Sequence, residues 1–511
     1  MKCLLCLSLL LTAGWMGSCS EPATARPLSL DECIQLALKQ NYDLQIERLN
    51  PEIARYNLSG ADGAYEPVFN FSAGQQLLTV PGGVDPKKTG LDSPYELTTD
   101  SVGMGISGLL PTGLQYGIQA NANRLKEVTD FSAQPGFILL FPPNGIRNTN
   151  QYTASAAITL DQPLLRNLWI DQYRQSISVS RKNLQISEMA LRWRVMNLVN
   201  NIQQAYYELI FARENERVQA QALQLAETLA EITRRRVQVG SLSTLDTQQA
   251  AARVESVRTA LFAARQNLAK HQNNLKNLIS NDFKTWADAP VEPAEGLVPV
   301  PDAFDRAERW RTAFEHRPDL AQLRLDLEKQ GIMTRYRFNQ IFPSLDLVGG
   351  FGLESQENTG EAALADIRDR TKPQYGFGVV LSIPLAGNRA ARGSYKASQA
   401  AKQQTILQLK KLEQNVLVQV DDALTLAQSA YQRTESARLA RQYAETALQG
   451  EQRRLEDGTS SAFVVLEYQQ KLTEAHTSEI RALADYSEAL AQLDLNEGST
   501  LEKNHINLQV K

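Results

Sequence analysis

The chain has 511 residues, of which 22% are charged and 43% are hydrophobic, and its formal net charge is −4. This length suits one large domain or two or three ordinary ones. Because the net charge is slightly negative, the chain lacks the excess of basic residues expected of a nucleic-acid-binding protein. All four cysteines lie in the first 33 residues. The mature chain is therefore predicted to have neither a disulfide framework nor a cysteine metal cluster.

The N-terminus has the pattern of an export signal. Lys2 precedes the apolar run LLCLSLLLTAGWM, which is too short to span a bilayer and is followed by small residues. Two cleavage sites fit: an A-x-A site at 23–25, giving a signal peptide over 1–25, or a lipobox-like MGSC at 16–19, giving a signal over 1–18 and a lipidated Cys19. No later apolar run reaches about 18 residues, so membrane contact would need a lipid anchor or a β-barrel.

Several motifs occur twice at matched spacing, which predicts two copies of one unit. The pairs are NYDL (41–44) with RPDL (317–320), LDQPL (160–164) with LSIPL (381–385), and the glycine turns VQVGS and LEDGT. We assign the copies to 28–281 and 302–497. The segment 282–302, rich in proline and acid, is interpreted as a linker, and 498–511 as a C-terminal tail.

Each copy is predicted to hold a first helix, a group of strands and a long helical hairpin. In the first copy the strands cover about 66–163 and the hairpin about 168–280; in the second they cover about 344–385 and about 388–495. The hairpin segments lack proline and repeat apolar or alanine residues every seven positions, which predicts helices wound closely about neighbours. About 70 helical residues would extend roughly 100 Å, too long for one compact globule.

The strand segments alternate polar and apolar residues, as in a barrel with a wet lumen and a lipid-facing exterior. The first copy is longer here, with 96 residues from Pro67 to Pro163 against 41 from Pro343 to Pro384. The extra residues include two alternating runs around a Pro-Thr-Gly turn at 111–113. They are predicted to form either an additional hairpin or a longer external loop.

Taken together, these motifs resemble the TolC-like outer-membrane efflux protein family, the outer membrane factors of tripartite export systems. The resemblance covers almost the whole mature chain and rests on LSLDECIQLALKQNYDLQ, its second-copy counterpart HRPDL, LDQPLLRN and LSIPLAGN, the two R-x-x-x-G turns and the final YSEALAQLDLNEG. It implies a mainly α fold with a β-barrel part. In such a homotrimer, a long α-helical coiled-coil barrel joins a transmembrane β-barrel, and each protomer has two structural repeats and gives four strands. Four strands cannot close a pore alone, and the extra hairpin does not fit that count.

The resemblance also places a candidate periplasmic gate at the hairpin ends, where acidic side chains ring the constriction. Asp246 and Glu467 are the candidates. Glu467 matches one gate position of the family, but the other second-copy position holds Val464, the counterpart of Asp246, while Gln249 is the counterpart of Glu467. Threefold symmetry would make each carboxylate a ring that attracts cations. Alternatively, Asp246 caps a helix N-terminus and Glu467 lies on a solvated helix face.

Two glycines, Gly240 and Gly458, are the predicted bends of the hairpins. In the family these turns form the periplasmic end, so the resemblance implies that an adaptor protein docks there. The same glycines also suit the left-handed backbone at a helix C-terminus, and the two interpretations are compatible.

Enzymatic constellations are not found, because the histidines are isolated from one another and from cysteine. We expect no catalytic, cofactor-binding or metal site. The expected function is an outer-membrane channel that extends into the periplasm, the passive exit duct of an efflux or type I secretion system with an adaptor and an inner-membrane transporter. The alternatives are a periplasmic coiled-coil adaptor, which would have one helical hairpin and lipoyl-like β modules, and an exported enzyme. The sequence does not identify the cargo.

Overall fold

The computed structural model describes residues 26–84, 91–131, 145–240, 243–287, 289–301 and 304–507. The α-helices in these ranges are α1 (Leu30–Gln40), α2 (Tyr42–Asp62), α3 (Gln172–Gln238), α4 (Thr244–Ile279), α5 (Phe283–Ala287), α6 (Arg306–His316), α7 (Pro318–Asn339), α8 (Gly360–Asp369), α9 (Arg389–Glu456), α10 (Ala462–Glu497) and α11 (Thr500–Lys503). The strands are β1 (Arg26–Leu28), β2 (Val68–Val80), β3 (Gly83–Val84), β4 (Leu91–Asp92), β5 (Tyr95–Leu109), β6 (Gln115–Asp130), β7 (Ile146–Pro163), β8 (Val291–Pro293), β9 (Ser344–Glu357) and β10 (Pro373–Ser382). The predicted signal peptide and Cys19 lie outside the described residues.

Contacts divide the chain into two units. The helical unit comprises the residues up to Leu49 together with Leu191–Pro318 and the chain from Glu413 onward. The sheet unit comprises Asn50–Ala190 and Asp319–Leu412. The expectation of a mainly helical chain with a β part is therefore confirmed.

The core of the helical unit is built around a buried tyrosine of α3. Tyr206 is completely buried, and its hydroxyl donates a hydrogen bond to the carbonyl oxygen of Leu28 in β1, 3.0 Å away. Strand β1 pairs in parallel with β8, whose Val291 is buried in the same cluster. The segment 282–302, interpreted above as a linker, thus contributes a paired strand and a core side chain, because its Val-Glu-Pro run can place one apolar face on the core.

Both long hairpins pack through small side chains. The helices α3 and α4 span 67 and 36 residues, and α9 and α10 span 68 and 36. In the first hairpin Ala222 and Ala226 lie against two valines of α4. In the second, Ala427 and Ala430 lie against Tyr486 and an alanine of α10. Small residues at the contact allow the helix backbones to approach closely, as the seven-residue spacing predicted.

The C-terminal end of α10 turns sharply at a glycine. Gly498 has a φ of +84°, and a Cβ added there would lie 2.9 Å from the backbone carbon of His316. Only glycine satisfies both the left-handed backbone and this close approach. The chain then forms α11, whose Leu501 is buried. The first residues of the segment predicted as a tail are therefore part of the folded core.

The sheet unit holds an antiparallel six-stranded sheet in the order β10-β9-β7-β6-β5-β2. The resemblance implied four strands for each chain, whereas this sheet has six. The two additional strands are the hairpin β5–β6, which turns at Gly113 with a φ of +89° and lies between β2 and β7. Of the two forms predicted for the extra residues, the structure has the hairpin.

A short helix absent from the predictions, α8, lies between β9 and β10. Its N-cap is Thr359, whose hydroxyl accepts a hydrogen bond from an amide of the first turn. The side chain of Asp366 accepts hydrogen bonds from the Ser355 hydroxyl and the Lys372 ammonium group, each at 2.7 Å. These bonds fix the helix to the ends of the two strands that it connects.

Candidate functional site: a two-faced sheet and two hairpin ends

The end of the first hairpin is a glycine turn. Helix α3 ends at Gln238, and Gly240 follows with a φ of +80° while its amide donates to the Val237 carbonyl, 3.0 Å away. Among the described residues, no atom lies within 4 Å of where its Cβ would be. The glycine is therefore needed for its backbone conformation and not for space, as the C-terminal bend of a helix requires.

Asp246 lies in the first turn of α4, immediately after this bend. Its carboxylate accepts a hydrogen bond from the amide of Ser243, 2.8 Å away, and the Ser243 hydroxyl accepts one from the amide of Leu245, 3.3 Å away. This reciprocal arrangement is a capping box, which satisfies amides that would otherwise lack partners at the helix start. The structure therefore gives Asp246 the capping role that the sequence offered as an alternative to a gate.

The end of the second hairpin has the same bend but a different cap. Gly458 has a φ of +76°, and its amide donates to the Leu455 carbonyl. The N-cap of α10 is Ser461, whose hydroxyl accepts a hydrogen bond from the amide of Val464, 3.4 Å away. Valine cannot return a bond to the cap residue, so this helix start has half of the capping box that α4 has.

Glu467 lies one turn further along α10 and is exposed. Its carboxylate forms an ion pair with the Lys471 ammonium group, 2.7 Å away, between side chains that are each about half exposed. The same ammonium group lies 4.9 Å from the centre of the Tyr468 ring. The hydrogen bond that Lys471 donates to Glu467 raises the pKa of Lys471 above its usual range. Any field that Glu467 creates is thus partly neutralised by a cation on its own helix.

The structure brings the two hairpin ends into one helical unit. Buried leucines and a valine from α3, α9 and α10 pack together, namely Leu229, Leu448, Leu455, Val465 and Leu466. The carboxylates of Asp246 and Glu467 do not bond each other; each is engaged within its own helix.

One face of the six-stranded sheet carries exposed apolar side chains on every strand. The register places Phe69, Ile106, Ile118, Ile158, Phe351 and Tyr375 in one row that crosses all six strands. Each of these side chains is at least 42% exposed. Further exposed members of this apolar face are Phe71, Met104, Leu160, Leu347, Phe377, Val379 and Leu381. So large an uncovered apolar surface indicates contact with a lipid or a protein.

The apolar face ends at a row of charged and polar residues near the outer ends of the strands. There Gln75 donates to the Asp100 carboxylate, 2.7 Å away, and Arg124 lies 3.9 Å from the same carboxylate. Arg124 is also 5.7 Å from the centre of the Tyr152 ring. An apolar band with a polar and aromatic border is the pattern of a strand wall in a membrane.

The opposite, polar face of the sheet carries small and polar side chains. Its members include Asn70, Ser72, Ser101, Gly103, Gly105, Gln119, Asn121, Ser155, Thr159, Gly350, Gly352, Gly376 and Gly378. None of these side chains is long enough to extend far from the sheet. This face suits a surface that water covers, and the two faces together have the alternation predicted from the sequence.

Sequence reasoning missed a charge cluster in the helical unit. Arg481 of α10 bonds Glu208 of α3 at 2.8 Å and Asp485 at 2.6 Å, and lies 3.6 Å from Glu488. Burial, followed by the neighbouring Glu208 charge, raises the pKa of Glu488 to about 7 against the opposing effect of Arg481. The spacing of these residues along α10 puts them on one helix face, but the partner on α3 is visible only in the fold.

Neither a metal centre nor a membrane-spanning helix is found in the described chain. The isolated histidines His271, His316, His476 and His505 stay apart, and among the described residues no group of three or more histidine, cysteine or acidic side chains is placed to hold a metal ion. Within the same ranges, no helix combines the length and the apolar character needed to cross a membrane.

A sheet with one apolar and one polar face, in one chain with two long helical hairpins, fits the family that the sequence motifs resemble. Residues 33–281 and 311–498 match the outer membrane efflux protein family, and the chain belongs to this family. The family resemblance stated from the sequence motifs is thereby confirmed. Membership places the protein in the bacterial outer membrane, with part of the chain in the periplasm.

Two curated relatives and a solved structure illustrate the likeness. The chain is 22% identical to the probable outer membrane lipoprotein SilC of Salmonella typhimurium over 56% of this chain and 59% of that protein. It is also 22% identical to the cation efflux system protein CusC of Escherichia coli (strain K12) over 49% of this chain and 52% of that protein. These matches span between half and two thirds of the relatives. The Campylobacter jejuni CmeC outer membrane channel has the same fold, with a TM-score of 0.66 at 16% identity over 98% of this chain and 94% of that one.

Proposed function

We propose that this protein is the passive exit channel of a multicomponent export system, and that it catalyses no reaction. The observation that carries the proposal is the two-faced sheet, whose apolar face suits lipid and whose polar face suits a water-filled lumen. The names of relatives and structural neighbours, which include efflux proteins and outer membrane channels, support it.

The proposed working form is a homotrimer with two structural repeats in each chain. The matched lengths of α3 with α9 and of α4 with α10 support the repeats. The trimer is supported by the sheet, which has an unpaired edge at β2 and another at β10 within the described chain. Open sheet edges do not occur in hydrocarbon, because their amides and carbonyls would have no partners. In the trimer, the helical hairpins would form a long coiled-coil barrel and the sheets a β-barrel.

The proposed partners are a periplasmic adaptor, which would dock at the hairpin bends, and an inner-membrane transporter, which would supply the energy. Around Gly240 and Gly458, exposed apolar side chains offer contact surface: Val239 is 76% exposed, and Leu245 and Phe463 are each 58% exposed. The alternative in which this chain is itself the adaptor is disfavoured by the presence of two hairpins and by the broad apolar face.

The proposed periplasmic gate at the hairpin ends would differ in its charges from a ring of free acidic side chains. If three copies bring their hairpin ends together, Glu467 would enter the constriction accompanied by Lys471, so that the ring would hold both signs of charge. Asp246 would contribute a ring of carboxylates already committed to capping. We therefore propose a gate that is less cation-selective than a ring of free acids would be.

The channel proposal is tested by recovering the protein from the outer membrane and measuring ion conduction in planar bilayers. A heat-sensitive oligomer that conducts supports the proposal. A water-soluble periplasmic protein that does not conduct would support the adaptor alternative instead.

The anchor at Cys19 is proposed on the lipobox-like sequence and on the lipoprotein name of SilC. The intact mass of the mature protein decides between the two processing sites. A chain that begins at residue 19 with added acyl mass supports the anchor, and a chain that begins at residue 26 contradicts it.

A further inference from the structure

The number of strands in one chain determines how wide a shared barrel must be. The hairpin β5–β6 is fully integrated in the sheet: β5 pairs with β2 from Val68↔Ser107 to Val80↔Tyr95, and β6 pairs with β7 from Gln115↔Asp161 to Asp130↔Ile146. Both new strands are therefore paired along almost their whole length. They are members of the wall and not an external loop.

The inserted strands also continue both faces of the wall. In the apolar row, Ile106 and Ile118 stand between Phe69 and Ile158. In the adjacent row on the polar face, Gly105 and Gln119 occupy the equivalent places. A hairpin folded outside the barrel would have no reason to keep a lipid-compatible face in register with its neighbours.

The two unpaired edges of the sheet complement each other. Neighbouring strands alternate in direction and the sheet has six of them, so the edge strands β2 and β10 are antiparallel to each other. The β10 edge of one copy can therefore pair with the β2 edge of the next in the ordinary antiparallel way, and repeated head-to-tail pairing closes a ring.

The observed register is compatible with the stagger that such closure requires. Following the ladders across the sheet, Val68 is level with Gly376, and β10 continues six residues further to Ser382. If Ser382 lies beside Val68 of the next copy, each chain adds about 20 Å of stagger over about 29 Å of sheet width, a tilt of about 35°. This tilt lies at the lower end of the range of about 35–45° found in barrels.

Resting on the proposed trimeric channel, we infer that three chains close an eighteen-stranded barrel by pairing β10 of one copy with β2 of the next. The partner that fits each sheet edge is thus a second copy of this chain. A tilted ring of eighteen strands has a backbone diameter of about 35 Å, against about 24 Å for the twelve strands that four strands per chain would give. Since the polar face holds mainly small side chains, the outlet stays wide and does not set the size limit for cargo.

The edge pairing is tested by disulfide cross-linking across the subunit boundary. Ser72→Cys is combined in turn with Gly378→Cys, Val380→Cys or Ser382→Cys, all on the polar face, and the outer-membrane protein is run without reductant. The proposed register predicts that Ser72→Cys with Gly378→Cys gives covalent dimers and trimers. The depth-matched control, Ser72→Cys with Val379→Cys, points to opposite faces and stays uncrosslinked. No intermolecular cross-link in any of the three polar-face pairs would overturn the inference.

The strand number is tested by electron microscopy of the purified wild-type oligomer, which needs no variant to fold. A three-fold barrel with eighteen strands supports the inference. A barrel of twelve strands with β5–β6 outside it, or a two-fold barrel of twelve strands, overturns it. Replacing residues 81–145 by a short turn makes β2 and β7 direct antiparallel neighbours and should narrow the three-fold barrel by about a third. Conduction by a twelve-stranded oligomer would overturn this inference alone, whereas a non-conducting eighteen-stranded oligomer would overturn the channel function alone.

Discussion

The lipid-facing assignment of the sheet makes a sharp prediction for two adjacent residues of β6. Ile118 lies in the apolar row and Gln119 on the polar face, at the same depth. Ile118 is six residues from the charged border at Arg124, which is about 20 Å along the strand. With a strand tilt of about 35°, this distance corresponds to a depth of about 16 Å, so residue 118 lies about 9 Å from the other border of a band about 25 Å tall. Lysine at 118 would therefore face hydrocarbon, and lysine at 119 would face water.

The free-energy cost of Ile118→Lys depends on the depth of the residue in the membrane and on the number of copies in the trimer. A lysine on the lipid face near the midplane costs about 2–4 kcal/mol, and three copies would raise the cost to about 6–12 kcal/mol per trimer. At about 1.4 kcal/mol per factor of ten, one copy alone corresponds to at least a twentyfold loss. Gln119→Lys places its charge in the lumen and should leave assembly within about a factor of two of wild type.

The assay is the amount of heat-sensitive oligomer in the outer membrane at equal synthesis. Ile118→Leu serves as a control for side-chain shape and should assemble normally. If Gln119→Lys lowers assembly as strongly as Ile118→Lys, the assignment of the two faces is wrong, because the loss would then depend on the depth of the lysine in the sheet and not on the face that carries it.

Three further predictions concern stability and selectivity. Burial raises the pKa of Glu488 from 4.5 to about 7, so between these pH values the folded protein holds a proton that the unfolded chain releases. The free energy of unfolding should therefore fall as the pH rises from about 4.5 to 7. In Glu488→Gln, the melting temperature should lose this dependence on pH, and a variant that keeps it would contradict the assignment. Gly498→Ala should destabilise the helical unit by about 2–4 kcal/mol through strain and a backbone clash, whereas Gly450→Ala, in open space within a helix, should stabilise it by up to about 1 kcal/mol; similar denaturation midpoints for the two would contradict this. Lys471→Gln should free Glu467 and shift the reversal potential in a salt gradient towards cation selectivity, while Lys471→Arg should not, and an unchanged potential in both would exclude Glu467 from the conduction path.

Local periodicity made much of the fold predictable. The long helices lack proline and repeat apolar residues every seven positions, so their extent could be predicted to within a few residues. The bends at Gly240 and Gly458 followed from single glycines between helical runs. Alternation likewise predicted which strand residues share a face, because the side-chain period of a strand is two.

The features that escaped prediction depend on partners far away in the chain. The strand number could not be decided, because a turn such as 111–113 has the same local sequence in a wall hairpin and in an external loop. The segment 282–302 looked like a linker because its proline content hides the pairing of β8 with β1. For Glu467, the cation at the next turn was visible in the sequence, but its contact with the carboxylate depends on side-chain geometry.

The hairpin β5–β6 shows how a shared barrel can change size without losing closure. One inserted strand would reverse the direction of one edge, and the boundary between copies would no longer be antiparallel. An inserted hairpin adds two strands, so the two edge strands stay antiparallel to each other and the polar and apolar side chains stay on their own faces. With threefold symmetry every such insertion is repeated in each copy, so the circumference grows by six strands at a time. Pore width in proteins of this design therefore changes in discrete steps, and one inserted two-stranded hairpin per chain is enough for a whole step.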